Sequence, residues 1–135
     1  MKTLLVLIAL GAVAHAEPLA VTIKPATGTW RAKTPVDVVL VVANTSKTKQ
    51  SIKVWLCSWE DNWKSSDPEL MWTPWGCDKN YERDEVLAPG AAKTWTLQMY
   101  PAPTAKLGDH KLRLGFTAGG RAQQWSNEVV ITVAK

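Results

Sequence analysis

Residues 36–57 read VDVVLVVANTSKTKQSIKVWLC, and their patterning decides the fold class. The run 36–43 is apolar on both parities, as a central strand covered on both faces is. Asn44-Thr45-Ser46 with Lys47 ends it in a turn. Residues 51–57 then alternate strictly, with Ile52, Val54 and Leu56 on one face and Lys53, Trp55 and Cys57 on the other. Two strands of period two joined by a polar turn predict β structure. The same pattern recurs outward in both directions. Leu19, Val21 and Ile23 alternate with Ala20, Thr22 and Lys24, and Pro25, Gly28 and Pro35 supply turn chemistry after them. Downstream, Leu87-Ala88-Pro89-Gly90 reads as a tight turn. Trp95, Leu97 and Met99 then face one way, as do Leu112, Leu114 and Phe116 after the Pro-rich connection 101–108. Gly119-Gly120 marks a hairpin, and Val129, Ile131 and Val133 point inward from a last strand. No convincing amphipathic helix interrupts this series, so the fold class is all-β, a sandwich of about seven strands with low helical content.

The N-terminus has a different character. Lys2 precedes the apolar run Leu4–Val13, which ends in Ala14-His15-Ala16, the pattern of a secretory signal peptide. The run is shorter than the roughly 20 residues that span a bilayer. Residues 1–16 are therefore expected to be removed, leaving residues 17–135 as one domain, exported to a secreted or periplasmic destination. No later stretch is apolar enough to cross a membrane. A net charge of +4 without a basic run gives no footprint for nucleic acid. In an exported chain the two cysteines, Cys57 and Cys77, are expected to form a disulfide.

Five of the eight tryptophans fall in residues 55–77. Trp55, Trp59, Trp63, Trp72 and Trp75 either pack together as a satellite core under the disulfide loop, or present an aromatic platform. A platform flanked by Lys53, Arg113, Glu60, Asp61 and Asp67 suits sugar rings or apolar ligands, since indole faces stack while carboxylates and amides fix hydroxyls. Trp30, Trp95 and Trp125 read as core or edge packing. Catalytic readings are weaker. Glu60, Asp61, Asp67, Glu69 and Asp78 offer carboxylates for glycoside hydrolysis, but loop carboxylates are ordinarily solvated. No EF-hand spacing, Gly-rich phosphate loop or serine-nucleophile motif occurs. His110, the one histidine beyond the leader, reads as a surface residue at a strand start, and a single histidine excludes a blue-copper set. No cofactor is indicated. Asn44-Thr45-Ser46 is a glycosylation sequon.

Two stretches carry a resemblance. LRLGFTAGGRAQQWSNEVVITV (112–133) resembles the last hairpin of fibronectin type III domains. VDVVLVVANTSKTKQSIKV (36–54) and VLAPGAAKTWTL (86–97) resemble secreted immunoglobulin-like modules, a pattern shared by proteinase inhibitors of the BsuPI type. The resemblance implies a sandwich in which the strands around 51–57 and 111–116 are neighbours, placing Trp55 beside Arg113. It covers about half the mature chain and leaves residues 57–85 unmatched. The expected function is a non-catalytic binding module for a carbohydrate or a protein partner; a proteinase inhibitor and a structural envelope protein are the alternatives.

Overall fold

In a computed structural model of the chain, residues 17–74, 76–116 and 124–135 are described. They are mostly β. The strands run β1 (Leu19–Pro25), β2 (Thr29–Arg31), β3 (Val36–Asn44), β4 (Gln50–Trp55), β5 (Trp63–Ser65), β6 (Leu70–Trp72), β7 (Glu82–Leu87), β8 (Ala92–Pro101), β9 (Gly108–Leu112), β10 (Leu114–Phe116), β11 (Gln124–Trp125) and β12 (Val129–Ala134). One helical turn, α1 (Trp59–Asn62), joins β4 to β5. The sheets have the orders β1-β3-β8-β6, β11-β10-β5, β2-β12-β9 and β4-β7. Pairing is antiparallel except between β12 and β2.

The alternation of the sequence becomes the inside and outside of these sheets. Leu19, Val21 and Ile23 of β1, Val38, Leu40 and Val42 of β3, and Leu97 and Met99 of β8 are buried. Leu112, Leu114, Phe116 and Ile131 join them in one continuous core. β3 is central, with β1 and β8 on its two sides, as its apolar run requires. Its second face is only partly covered, and Val39 stays 38% exposed. Trp30 is fully buried, its indole N–H donating to the Thr27 carbonyl at 2.9 Å. Trp125, by contrast, sits on the edge strand β11 and is exposed.

Two turns fold as their residues dictate. Gly90 adopts φ 77°, in the left-handed region that glycine tolerates, and the Ala91 N–H donates to the Ala88 carbonyl across the turn. Asn44, buried at the end of β3, closes the other. Its Nδ2 donates to the carbonyls of Thr48 and Leu87, and its Oδ1 accepts from the backbone N–H and hydroxyl of Ser46. The sequon asparagine is thus a structural plug whose amide is inaccessible in the folded domain. The Gly119-Gly120 turn lies outside the described residues, but the antiparallel pairing of β10 with β11 flanks it.

The segment between the cysteines is not a satellite. Cys57 and Cys77 are joined in a disulfide with Cα atoms 5.7 Å apart, yet the chain between them enters two different sheets. β5 pairs with β10, setting Trp63 opposite Phe116, and β6 extends the four-stranded sheet by pairing with β8. Trp63 and Leu70, each 1% exposed, belong to the main core. This also corrects the expected neighbours of Arg113. β4 pairs with β7, and the place beside β10 is taken by β5. The turn of α1 resets the parity after Trp55, so Trp63 rather than Trp55 is the indole delivered to the core.

Candidate functional site

Trp59 and Trp72 are positioned by α1 and β6. Asn62 anchors α1 to the end of β4: its Oδ1 accepts from the Trp55 N–H at 2.7 Å and its Nδ2 donates to the carbonyls of Trp55 and Ser58. Both groups would otherwise be buried without partners. The anchored turn holds Trp59 half-buried, packed partly on the core and partly lining a surface depression of about 310 Å³. Pro74 and Thr73, just past β6, form a second wall. The floor comes from the outward residues Asp37 of β3 and Thr96 and Gln98 of β8. Gln98 Nε2 donates to Asp37 Oδ1 at 3.0 Å, which orients both heads. The Thr73 N–H donates to the Gln98 carbonyl, while the Thr73 hydroxyl oxygen is buried with no partner among the described residues.

Adjoining depressions continue this cleft. Pro74 is shared with one of about 360 Å³, lined also by Trp72, Glu60, Met71 and Tyr100. Trp72 and Glu60 in turn border a third of about 250 Å³. On the other side, Asp37 and Gln98 are shared with a depression of about 470 Å³ that reaches Thr29, Arg31 and Thr34. These hollows adjoin through shared residues, and together they set the rings of Trp59, Trp72, Pro74 and Tyr100 beside carboxylate, amide and hydroxyl groups. Such a surface can stack flat rings and hydrogen-bond hydroxyls.

The structure sorts the residues singled out from the sequence. Trp59 and Trp72 line the cleft. Trp63 does not belong to an exposed platform: it is core, its ring 5.5 Å from Trp95 edge-on and 5.1 Å from Phe116. Trp55 is half-buried at the end of β4. Arg113 pairs with Glu128 at 3.4 Å, and the strand paired with β4, which carries Trp55, is β7. Trp75 lies outside the described residues. Asp37, Thr96 and Gln98 sit on the outer face of strands distant in sequence, where polar residues are the default, and Thr73 follows β6 in a loop, so none carries a local signal.

A second cluster forms around His110, which the sequence places at the surface. His110 is 8% exposed, not a surface residue. Its Nδ1 lies 2.7 Å from Asp67 Oδ2 and its Nε2 2.8 Å from the Lys106 carbonyl, with Glu69 Oε2 3.9 Å away. Burial works to lower the imidazole pKa, but the Lys106 carbonyl, the Asp67 hydrogen bond and the charges of Asp67 and Glu69 outweigh it and raise the pKa above 6.5. Asp67 and Glu69 are thereby committed to His110.

Compared with models of known protein families and with curated proteins, the chain matches none. The functional reading therefore rests on the cleft itself.

Proposed function

We propose that the protein is an exported, non-catalytic binding module that holds a carbohydrate in the cleft of Trp59, Pro74 and Trp72. The observation that carries this is that Trp59 and Pro74 share one hollow with the oriented Asp37–Gln98 pair, and that Pro74 joins it to the adjoining hollow lined by Trp72. Sugars present an apolar ring face and hydroxyl edges together, and this surface offers complements to both. Export is supported by the leader pattern of residues 1–16 and by the disulfide, which fits a non-cytoplasmic compartment. Among the described residues no helix is long and apolar enough to cross a membrane.

An immunoglobulin-like fold is supported by the order β1-β3-β8-β6, which corresponds to strands A, B, E and D of that family. The parallel pairing of β2 with β12 beside β9 is a further likeness. A peptide partner is the second reading, favoured by β6 at the sheet edge with Met71 exposed beside the cleft, where an extended segment adds as a strand.

The test is a glycan-array screen of the mature oxidised protein followed by calorimetry on the best oligosaccharide. Each stacking indole is expected to contribute about 2 kcal/mol, so Trp59→Ala with Trp72→Ala should weaken binding about a thousandfold while the fold persists. Absence of saturable glycan binding, with proteinase or peptide binding in its place, transfers the cleft to the second reading.

A further inference from the structure

Next to Pro68, which lines the cleft together with Trp72, the chain gathers Asp67, Glu69 and His110, whose ligand atoms lie within 4.8 Å of one another. We propose that these three side chains bind a divalent transition-metal ion of the zinc class. The chemistry follows from the hydrogen bonds. The Lys106 carbonyl can only accept, so His110 Nε2 carries a hydrogen and donates it. Nδ1 then points a lone pair at Asp67 Oδ2 from 2.7 Å. Two acceptors at that distance need a cation between them, which a proton or a metal ion supplies. A carbonyl on the remote nitrogen is also how metal-ligating histidines are oriented, because it fixes the tautomer and the ring plane.

The spacing suits such an ion. Bonds of about 2.0–2.2 Å at tetrahedral or octahedral angles set neighbouring ligand atoms about 2.8–3.6 Å apart. The observed 2.7 Å to Asp67 and 3.9 Å to Glu69 bracket that range, and small side-chain rotations reconcile them. The backbone of the turn is already set: the Glu69 N–H donates to Asp67 Oδ1, and the Lys106 N–H to Glu69 Oε2. One imidazole with two carboxylates favours zinc and its neighbours over calcium or magnesium, which take all-oxygen sets. No thiol competes, since both cysteines are in the disulfide. Three protein ligands leave at least one coordination position for water or a partner's donor.

The probe is zinc chloride, titrated into untagged, chelator-treated mature protein and followed by calorimetry and by the NMR signals of the His110 ring. Saturable binding of one zinc per chain, with shifts concentrated at His110, Asp67 and Glu69, is expected. Glu69→Gln, at the more exposed edge of the cluster, should keep the thermal stability of the metal-free protein and weaken zinc about 10- to 100-fold. His110→Gln, whose amide can still donate to Lys106, should abolish it. No saturable binding up to millimolar zinc, or undiminished binding in both variants, overturns the assignment.

Discussion

Trp63→Ala separates the woven segment from a self-contained loop. Trp63 is 1% exposed, faces Phe116 across β5 and β10, and meets Trp95 edge-on. Truncating a buried tryptophan costs about 3–5 kcal/mol in transfer and cavity terms, and its two aromatic contacts add about 0.5–1.5 kcal/mol each. One term opposes these. The indole N–H is buried without a partner among the described residues, and deleting it relieves a penalty of about 1–3 kcal/mol. The balance is a loss of about 4 kcal/mol, a large share of the roughly 5–15 kcal/mol that holds a domain of this kind together. Trp63→Phe keeps the ring contacts and loses the orphaned N–H, so its cost should be about 1 kcal/mol. Trp59→Ala, which empties a cleft wall, should cost about 1–2 kcal/mol. Urea unfolding followed by far-ultraviolet circular dichroism reads all three as shifts in midpoint at constant slope. A Trp63→Ala loss below about 1 kcal/mol would refute the core assignment of β5 and restore the satellite loop.

Replacing both cysteines by serine should lower stability by about 3 kcal/mol, the loop-entropy value for a separation of 20 residues. Because β5 and β6 are tied into two sheets, the loss should appear in the single cooperative transition, with the amides of Trp63 and Leu70 still protected from hydrogen exchange; selective loss of protection there speaks against it. Asn44→Ala should cost about 2–4 kcal/mol by thermal melting, and Asn44→Asp as much, since both Nδ2 hydrogens point at carbonyls. An Asn44→Asp protein of unchanged stability would contradict this geometry. His110 holds its proton more tightly folded than unfolded. In the presence of a chelator that contribution is complete below 6.5 and is lost as pH rises through the folded value, so the melting temperature should fall over that window and the fall should be absent in His110→Gln.

How far the cleft could be foreseen differs from residue to residue. Trp59 and Trp72 stood out because tryptophans are rare and these are concentrated beside a disulfide. Nothing in the local sequence distinguished Trp59 from Trp63: Trp55, Trp59 and Trp63 are spaced by four, which fits a helix face and a strand face alike, and the chain passes through a helical turn at Trp59 and a strand at Trp63. Asp37, Gln98 and Thr73 carry no local signal at all. Their meeting depends on the register that sets Asp37 against Gln98 and carries the chain past Trp72 to Thr73. His110 lies 43 residues from Asp67, a separation that matches no local metal-binding spacing.

The amino-acid sequence by itself determined the β class, the inward faces of β1, β8, β10 and β12, the Pro89-Gly90 turn and the cysteine pair, whereas β3 read as apolar on both faces and buries only one. Each of these depends on residues near one another along the chain: period-two burial, a φ that only certain residues adopt, two thiols without competitors. The tertiary structure alone decided that β5, not β4, lies beside β10, that Trp63 is core while Trp59 and Trp72 line a cleft, and that His110 closes on Asp67 and Glu69. Those outcomes depend on which of several compatible faces buries the most apolar surface once all the strands are packed, a competition that no short window contains.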